Sequence, residues 1–357
     1  MKVALIFGGC SREHAISLRS AQNIWQQLLS NRHEVALIGV NLQNQWFLQH
    51  SLSRQTHSII ERVEENPLYE IFLIFRDGAA RFIDRGGESI FEPDIAFPII
   101  HGSYGEDGSL QGYFKQMRLP FVGADVLASA MAMDKDITKR LLQGAGIAVS
   151  PGVVVTSHQP LSHQDAHLQA LGMPLFVKPA SLGSSVGVSK VSTLSQLEQA
   201  CLDALKLDNK VLIEKAIVGR EIEFAVLGND DARVSLPGEI VMQQGDVYSY
   251  DAKYISQTAA TLVIPADIPL DVLKEGQRLA LLAYQTLGCT GMSRVDFFLT
   301  PDHTWILNEI NTLPGFTDIS MYPKMWEASG LPPANLIEKL LILGLETYHD
   351  TTLSQSC

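Results

Sequence analysis

KVALIFGGCSREHAISLRSAQNIWQQLLSNRHEVALIGV, residues 2–40, is the stretch on which the reading of the fold turns. Residues 2–7 form a short, unbroken apolar run, and Gly8-Gly9 end it. Such a run reads as a parallel strand buried on both faces, followed by a tight turn. From Ser17 to Leu29 the period changes: Leu18, Ala21, Ile24, Trp25 and Leu28 recur at helical spacing. Glu34–Val40 is a second apolar strand. Strand, helix and strand in this order open an α/β, doubly wound domain. Ligands of such sheets lie beyond the carboxyl ends of the strands, where Gly8 to Glu13 fall.

Outward from this unit the chain keeps alternating. Residues 50–70 are polar and peripheral, Ile71–Phe75 and Ala80–Ile83 read as paired strands, and Ile95–Ile100 is a further buried strand. It runs into HGSYGEDGSLQGYF, residues 101–114, with a helix from about Ser109. One helix is expected over Met131–Gln143, stopped by Gly144 and Gly146. Strands follow at Gly152–Val155 and Leu175–Lys178, a helix at Leu194–Leu205 and a strand at Lys210–Glu214. Past Gly219 come a strand at Glu221–Leu227, an irregular stretch over 240–261, and a helix at Leu270–Leu287. Strands at Gly291–Leu299 and Trp305–Glu309 and a closing helix over Pro333–Leu345 complete the reading. This divides the 357 residues into three domains, 1–126, 127–218 and 219–357.

The composition narrows the function. Hydrophobic residues make up 46% and charged residues 18%, enough to fill real cores. The formal net charge is −12, which argues against nucleic acid as a partner, because phosphate neutralisation needs a basic face. Cys10, Cys201, Cys289 and Cys357 are scattered, with no CxxC pair, and read as free thiols of a reducing compartment. No apolar run approaches the length of a membrane span, and the short apolar start runs straight into a glycine turn. A cytoplasmic protein with no membrane partner is expected.

Four constellations can carry chemistry. In PLFVKPASLGSSVGVSKV, 174–191, a strand delivers Lys178 to a loop of small residues, Gly183, Ser184, Ser185 and Gly187. Small residues let backbone N–H groups approach phosphate oxygens, though a Gly/Ser loop is equally an ordinary hairpin. It is not a Walker A loop, since no GK[ST] follows. In VLIEKAIVGREIEFAV, 211–226, Glu214, Lys215 and Glu221 mark strand ends suited to an adenine and ribose, or simply solvated charges. In SRVDFFL and WILNEINTLPGFT, 293–299 and 305–317, Arg294 and Asp296 are two apart, as are Glu309 and Asn311. Each pair shares one face of its strand. Two carboxylates and an amide oxygen are the oxygen set that suits Mg²⁺ holding ATP phosphates. Finally, Glu13 and His101 lie at strand ends of the first domain. Glu13 suits an ammonium group or a helix N-terminus; His101 suits a substrate contact or a satisfied loop histidine.

In order and spacing, HGSYGEDGSLQGYF, MDK at 133–135, VKPASLGSSVG, IEK…GREIE, DAKY, SRVDFF and NEINTLPGFT resemble the D-alanine–D-alanine ligases, over about residues 3–345. The resemblance implies an ATP-grasp fold with an N-terminal doubly wound domain, and ATP between the second and third domains. It implies that Lys135 and Lys178 meet the phosphates, with Ser185 from the glycine-serine loop. Glu214, Lys215 and Glu221 take the adenine and ribose, and backbone at Lys215, Ala216 and Ile217 reads the adenine edge. Lys253 is the lid lysine. Asp296, Glu309 and Asn311 hold two Mg²⁺, with Mn²⁺ able to replace them. Glu13 holds the ammonium of the first D-alanine. Arg294 and backbone after Pro314-Gly315 form the oxyanion hole. Ser320 and Met321 take the carboxylate of the second D-alanine, with His101 nearby. Glu13, Ser184 and Tyr254 meet in one hydrogen-bonded chain under a lid over 240–261. Departures from the family pattern are Cys10 at a usual small hydroxyl position, His14-Ala15 after Glu13, and Met321 for a leucine.

The activity implied is phosphorylation of one D-alanine by ATP, then attack by the amine of a second. The product is D-alanyl-D-alanine for peptidoglycan precursors, made by a cytoplasmic homodimer. Three rivals are a D-serine or D-lactate ligase, another ATP-grasp enzyme such as a carboxylase, and a nucleotide-binding protein without catalysis. Tyr254 favours the dipeptide, since a neutral phenol suits an amine-bearing second substrate. No biotin or bicarbonate signature supports a carboxylase. The full set of lysines and carboxylates opposes loss of catalysis.

Overall fold

The computed structural model describes residues 1–49, 59–159, 161, 166–242 and 260–354. Strand β1 (Lys2–Gly8) is buried from Val3 onward, as its unbroken apolar run requires. It pairs in parallel with β2 (Glu34–Val40) on one side. Between them runs α1 (His14–Ser30), whose Ile16 and Ser17 amides bond to Glu13 O. The helix thus starts three residues before the apolar period does. β2 continues to an antiparallel edge strand, β3 (Trp46–Leu48). A small antiparallel sheet follows: β4 (Ile71–Arg76), β5 (Ala79–Asp84) and β6 (Ser89–Phe91). Then β7 (Ile95–Ile99) joins the free side of β1 in parallel, giving the order β3-β2-β1-β7. The carboxyl ends of β1 and β7 lie side by side, so loops 8–13 and 100–108 adjoin, and α2 (Ser109–Gln116) leaves the second of them.

The single helix expected over Met131–Gln143 is two, α3 (Val126–Met133) and α4 (Lys135–Gly144). Asp134 makes the break: its carboxylate accepts the Asp136 and Ile137 amides at 3.0 and 3.1 Å. An N-cap of this kind takes up amides that a continuous helix would bond elsewhere. Apolar period survives such a break, which is why it does not show in the spacing.

The second unit is an antiparallel sheet of order β10-β9-β11-β8. Its strands are β8 (Gly152–Thr156), β9 (Leu175–Pro179), β10 (Ser189–Val191) and β11 (Lys210–Lys215). Helices α5 (Ala166–Leu171) and α6 (Leu194–Ala204) cover it. The chain then enters a third sheet at β12 (Arg220–Leu227), which pairs with β13 (Arg233–Val234) and β14 (Gly238–Met242). β15 (Ala260–Val263) pairs with β14, so both ends of the stretch expected to be irregular are strand. Helix α7 (Leu270–Thr286) leads to β16 (Met292–Leu299) and β17 (Trp305–Asn311), and the order is β15-β14-β12-β16-β17. The chain closes with α8 (Met321–Ala328) and α9 (Pro333–Ser354).

The last block does not keep to itself. Leu336, Ile337, Leu340 and Leu341 of α9 share one apolar core with Val3, Leu5, Leu18 and Leu28. Asn31 donates to Ala334 O at 2.9 Å, and His33 Nε2 lies 2.8 Å from Glu338. The C-terminal helix therefore packs against the first sheet in a core that also holds Leu227, Ile240 and Met292 of the third sheet. No helix of the described residues is long and apolar enough to cross a membrane.

Candidate active site

The floor of the site is the third sheet. Arg294 pairs across strands with Asn311, and Asp296 with Glu309, so the expected set stands in register on β16 and β17. On the other side of β16, Asp296 is also opposite Glu223 of β12, and three carboxylates lie in a row. The ladder slips between Asp296 and Phe297, because Phe297 pairs with Leu307 and leaves Asn308 as a bulge. Arg294 gives Nε and Nη2 to Asp296 at 2.8 and 2.6 Å, and its Nε is 3.1 Å from Glu223. Burial alone would lower the Arg294 pKa. The charges of Asp296 and Glu223 outweigh it and hold the pKa well above the ordinary arginine value.

Above this floor come the lysines. Lys135 and Lys139 are one helical turn apart on α4 and share a face. Lys135 Nζ donates to Leu182 O at 2.7 Å and is 3.6 Å from Glu309. Lys178, from β9, is 2.7 Å from Glu214 Oε2 and donates to the bulged Asn308 at 3.4 Å. Lys139 Nζ pairs with the other Glu214 oxygen. Burial raises the Glu214 pKa, but the two ammonium groups outweigh it and the net shift is downward. Lys178 is pulled down by burial and raised overall by Glu214. Lys139, buried and facing Lys178, is lowered to about 8.

The first domain closes the other side. Ser184 and Ser185 both have left-handed backbones, φ 52° and 58°. Each such non-glycine residue costs on the order of 1–3 kcal/mol, and here the turn aims the Ser184 hydroxyl at Glu13 Oε1, to which it donates. Gly102, with φ +78°, backs Glu13: a Cβ there would sit 3.0 Å from Glu13 Oε2. His101, expected among the substrate contacts, is buried at 3% exposure. Its Nδ1 lies 3.2 Å from Leu313 O and 3.3 Å from Glu106, and its Nε2 3.3 Å from Ser20. It ties loop 100–108 to α1 and to the segment after β17. Burial lowers its pKa, but Glu106 outweighs that and raises it.

Ser20 also accepts the Phe316 amide, and Ser320 accepts the Thr317 amide at 2.9 Å. A Cβ on Gly315 would stand 2.9 Å from the Ser320 hydroxyl. Met321 is buried, and its methyl group packs against Gly238 of β14, so its side chain serves packing. The Lys215 and Ala216 amides are committed to Pro151 O and Pro174 O. Glu221 is half-buried on β12. Lys253 and Tyr254, with most of the 240–261 stretch, lie outside the described residues.

Lys139, Glu223, Asn308 and Glu106 were missed by sequence reasoning. The first two carry a signal: Lys139 is four residues from Lys135 on a helix, and Glu223 two from Glu221 on a strand. Asn308 carries none, because its position depends on the bulge.

Basic groups thus face a row of carboxylates between two sheets, closed by an acid–serine contact from the first domain. Two family models match the chain: "D-ala D-ala ligase N-terminus" over residues 2–124 and "D-ala D-ala ligase C-terminus" over 141–342. The chain belongs to the D-ala D-ala ligase family. A D-alanine–D-alanine ligase of Shouchella clausii is 48% identical, covering 97% of this chain and 95% of that protein. The D-alanine-D-alanine ligase structure from Coxiella burnetii superposes with a TM-score of 0.88 at 36% identity, covering 100% of this chain and 97% of that one. The VanG D-Ala:D-Ser ligase of Enterococcus faecalis superposes with a TM-score of 0.81 at 34% identity, covering 96% and 99%. The fold is therefore the ATP-grasp fold of this family.

Proposed function

We propose that this chain is an ATP-dependent ligase that joins two D-alanine molecules, releasing ADP and phosphate, to supply peptidoglycan precursors. The observation that supports it best is the meeting of Lys135 and Arg294 with Glu309 and Asp296, with Lys178 on Glu214 and Asn308 and the Ser184–Glu13 contact nearby. Lys135 and Lys178 bind the ATP phosphates, while Glu214, Glu221 and Ile217 orient the base and ribose. Ser185 contributes to the phosphate loop. Glu13, fixed by Ser184 and backed by Gly102, holds the first D-alanine by its ammonium group. Arg294 and the backbone at Gly315 stabilise the oxyanion as the second amine attacks the acyl phosphate. Ser320 receives the second carboxylate.

Asp296, Glu309 and Asn311 are oxygen donors in register, the donor chemistry that Mg²⁺ prefers. Asp296 and Glu309 already sit beside the cationic groups of Arg294 and Lys135, and as carboxylates on facing register positions they would suit a divalent ion. Two Mg²⁺, or Mn²⁺, would neutralise charge on the transferring phosphoryl group. Lys253 and Tyr254 are assigned from the family resemblance alone, as lid lysine and as the phenol that favours an amine-bearing second substrate. The same resemblance extends to a cytoplasmic homodimer, which sedimentation checks.

The test is ADP release. D-Alanine should stimulate it with dipeptide formed in step, L-alanine should not, and Glu309→Gln should abolish it while the far-ultraviolet circular dichroism stays unchanged. Equal turnover of L- and D-alanine would sink the reading. Preference for D-serine as second substrate would move the chain toward the activity that VanG is named for.

A further inference from the structure

The reaction accounts for Lys135 and Lys178, but it gives Lys139 no part. Yet Lys139 is 6% exposed and its ammonium reaches the carboxylate that Lys178 uses. A buried lysine needs a partner, and Glu214 alone already pairs with Lys178. The cluster is thus two ammonium groups on one carboxylate, with a surplus charge of one.

We propose that Lys139 is a positioning residue of the nucleotide site: it satisfies Glu214, so that the charge of Lys178 is left for a nucleotide phosphate, and its protonation sets nucleotide affinity. The proposal rests on the reading above that nucleotide binds at Lys135 and Lys178. With Lys139 charged, Glu214 is shared and the cluster is net positive. With Lys139 neutral, Glu214 and Lys178 cancel, and Lys135 is left to attract phosphate without them. In a poorly solvated site that difference is large.

Among the described residues, the groups facing Lys139 are few. β9 contributes Lys178, β11 contributes Glu214, and the charge of Glu309 reaches it from β17. α3 carries no ionisable side chain, and α7 meets α4 through an apolar core that includes Leu142, Leu279 and Ala283. On α4 itself, Asp136 is paired to Lys210 and Arg140, and Lys135 points to Leu182 and Glu309. Lys139 therefore titrates against the Glu214–Lys178 pair, with its pKa brought down to about 8. Phosphate favours the charged form, so bound nucleotide raises that pKa. ADP affinity is then full below pH 8 and falls as pH rises, by up to about tenfold per unit, the limit for one linked proton.

Isothermal titration of Mg²⁺-ADP into the full chain between pH 7 and 9.5, in buffers of different ionisation heat, tests this. Expected is proton uptake on ADP binding near pH 8.5 and affinity falling toward pH 9.5. Lys139→Met leaves the Glu214–Lys178 pair intact; it should bind about tenfold more weakly at pH 7, without uptake or slope. Lys139→Arg, charged throughout, should keep the affinity at pH 9. Wild-type affinity that is flat across this range, or an undiminished slope in Lys139→Met, overturns the role of Lys139 alone. No ADP binding by the wild-type chain at pH 7 would overturn the nucleotide site and this proposal together.

Discussion

Arg294 is held by two carboxylates at once, Asp296 through two hydrogen bonds and Glu223 from the neighbouring strand. If Asp296 turns to a metal ion, Glu223 remains as the anchor that aims the guanidinium. Glu223→Gln keeps the shape and removes the charge. Removing one charge of a close buried ion pair costs about 3–5 kcal/mol when the whole partner is lost, and Gln keeps part of the contact, so kcat should fall roughly ten- to hundredfold with a smaller change in the KM for ATP. Steady-state kinetics with D-alanine would show it, and an unchanged kcat would leave Glu223 with a packing role only. Glu13 shows the same economy of contacts: its two oxygens face Ser184 and Gly102, and only a residue without a side chain at 102 leaves them room.

At the scale of elements, the break between α3 and α4 matters most. It places Lys135 in the first turn of a helix, with its own amide bonded to Ala180 O beneath the glycine-serine loop. Asp134 makes the break, and Lys210 grips both Asp134 and Asp136. Asp134→Ala removes the cap, at a cost of about 0.5–2 kcal/mol. Denaturant unfolding should show that loss, and the KM for ATP should rise because Lys135 is no longer fixed. A stability loss without any change in KM would mean that the loop, not the cap, places Lys135. The bulge at Asn308 acts similarly on β17: one extra residue lets Asn308 reach Lys178 while Glu309 stays opposite Asp296.

At the scale of the molecule, the shared core of α9, α1 and β1 joins the two ends of the chain. His101 and Ser20 then tie loop 100–108 and α1 to the segment 313–316. Both proposed amino-acid sites thus depend on how the C-terminal helices seat on the first sheet. Leu340 is fully buried there. Leu340→Ala should destabilise the chain by about 2–5 kcal/mol, the usual cost of such a cavity. Trp25, buried in the same core, should report the loss at the same denaturant concentration as circular dichroism. Separate transitions would show that α9 docks without supporting the first sheet.

Much of this was legible from local pattern. The apolar run of β1, the helical period of α1 and the two-residue spacings Arg294–Asp296 and Glu309–Asn311 depend on near neighbours, and the structure keeps each of them. The ordered motifs also placed the chain in its family before any contact was known, and the family models bear that out. What local pattern does not carry is the pairing of residues far apart in the chain. Asp134 splits a helix whose apolar period runs on unbroken. His101 is held in its buried place by Ser20 and Leu313, 81 and 212 residues away. Lys139 acquires its low pKa only because β9 and β11 bring Lys178 and Glu214 against it. The sequence by itself determined the main strands and helices, the family and the residue types of the site, since these follow from periodicity and motif. Tertiary structure alone decided which charge faces which, because desolvation and Coulomb energy depend on distances that only the packed fold sets.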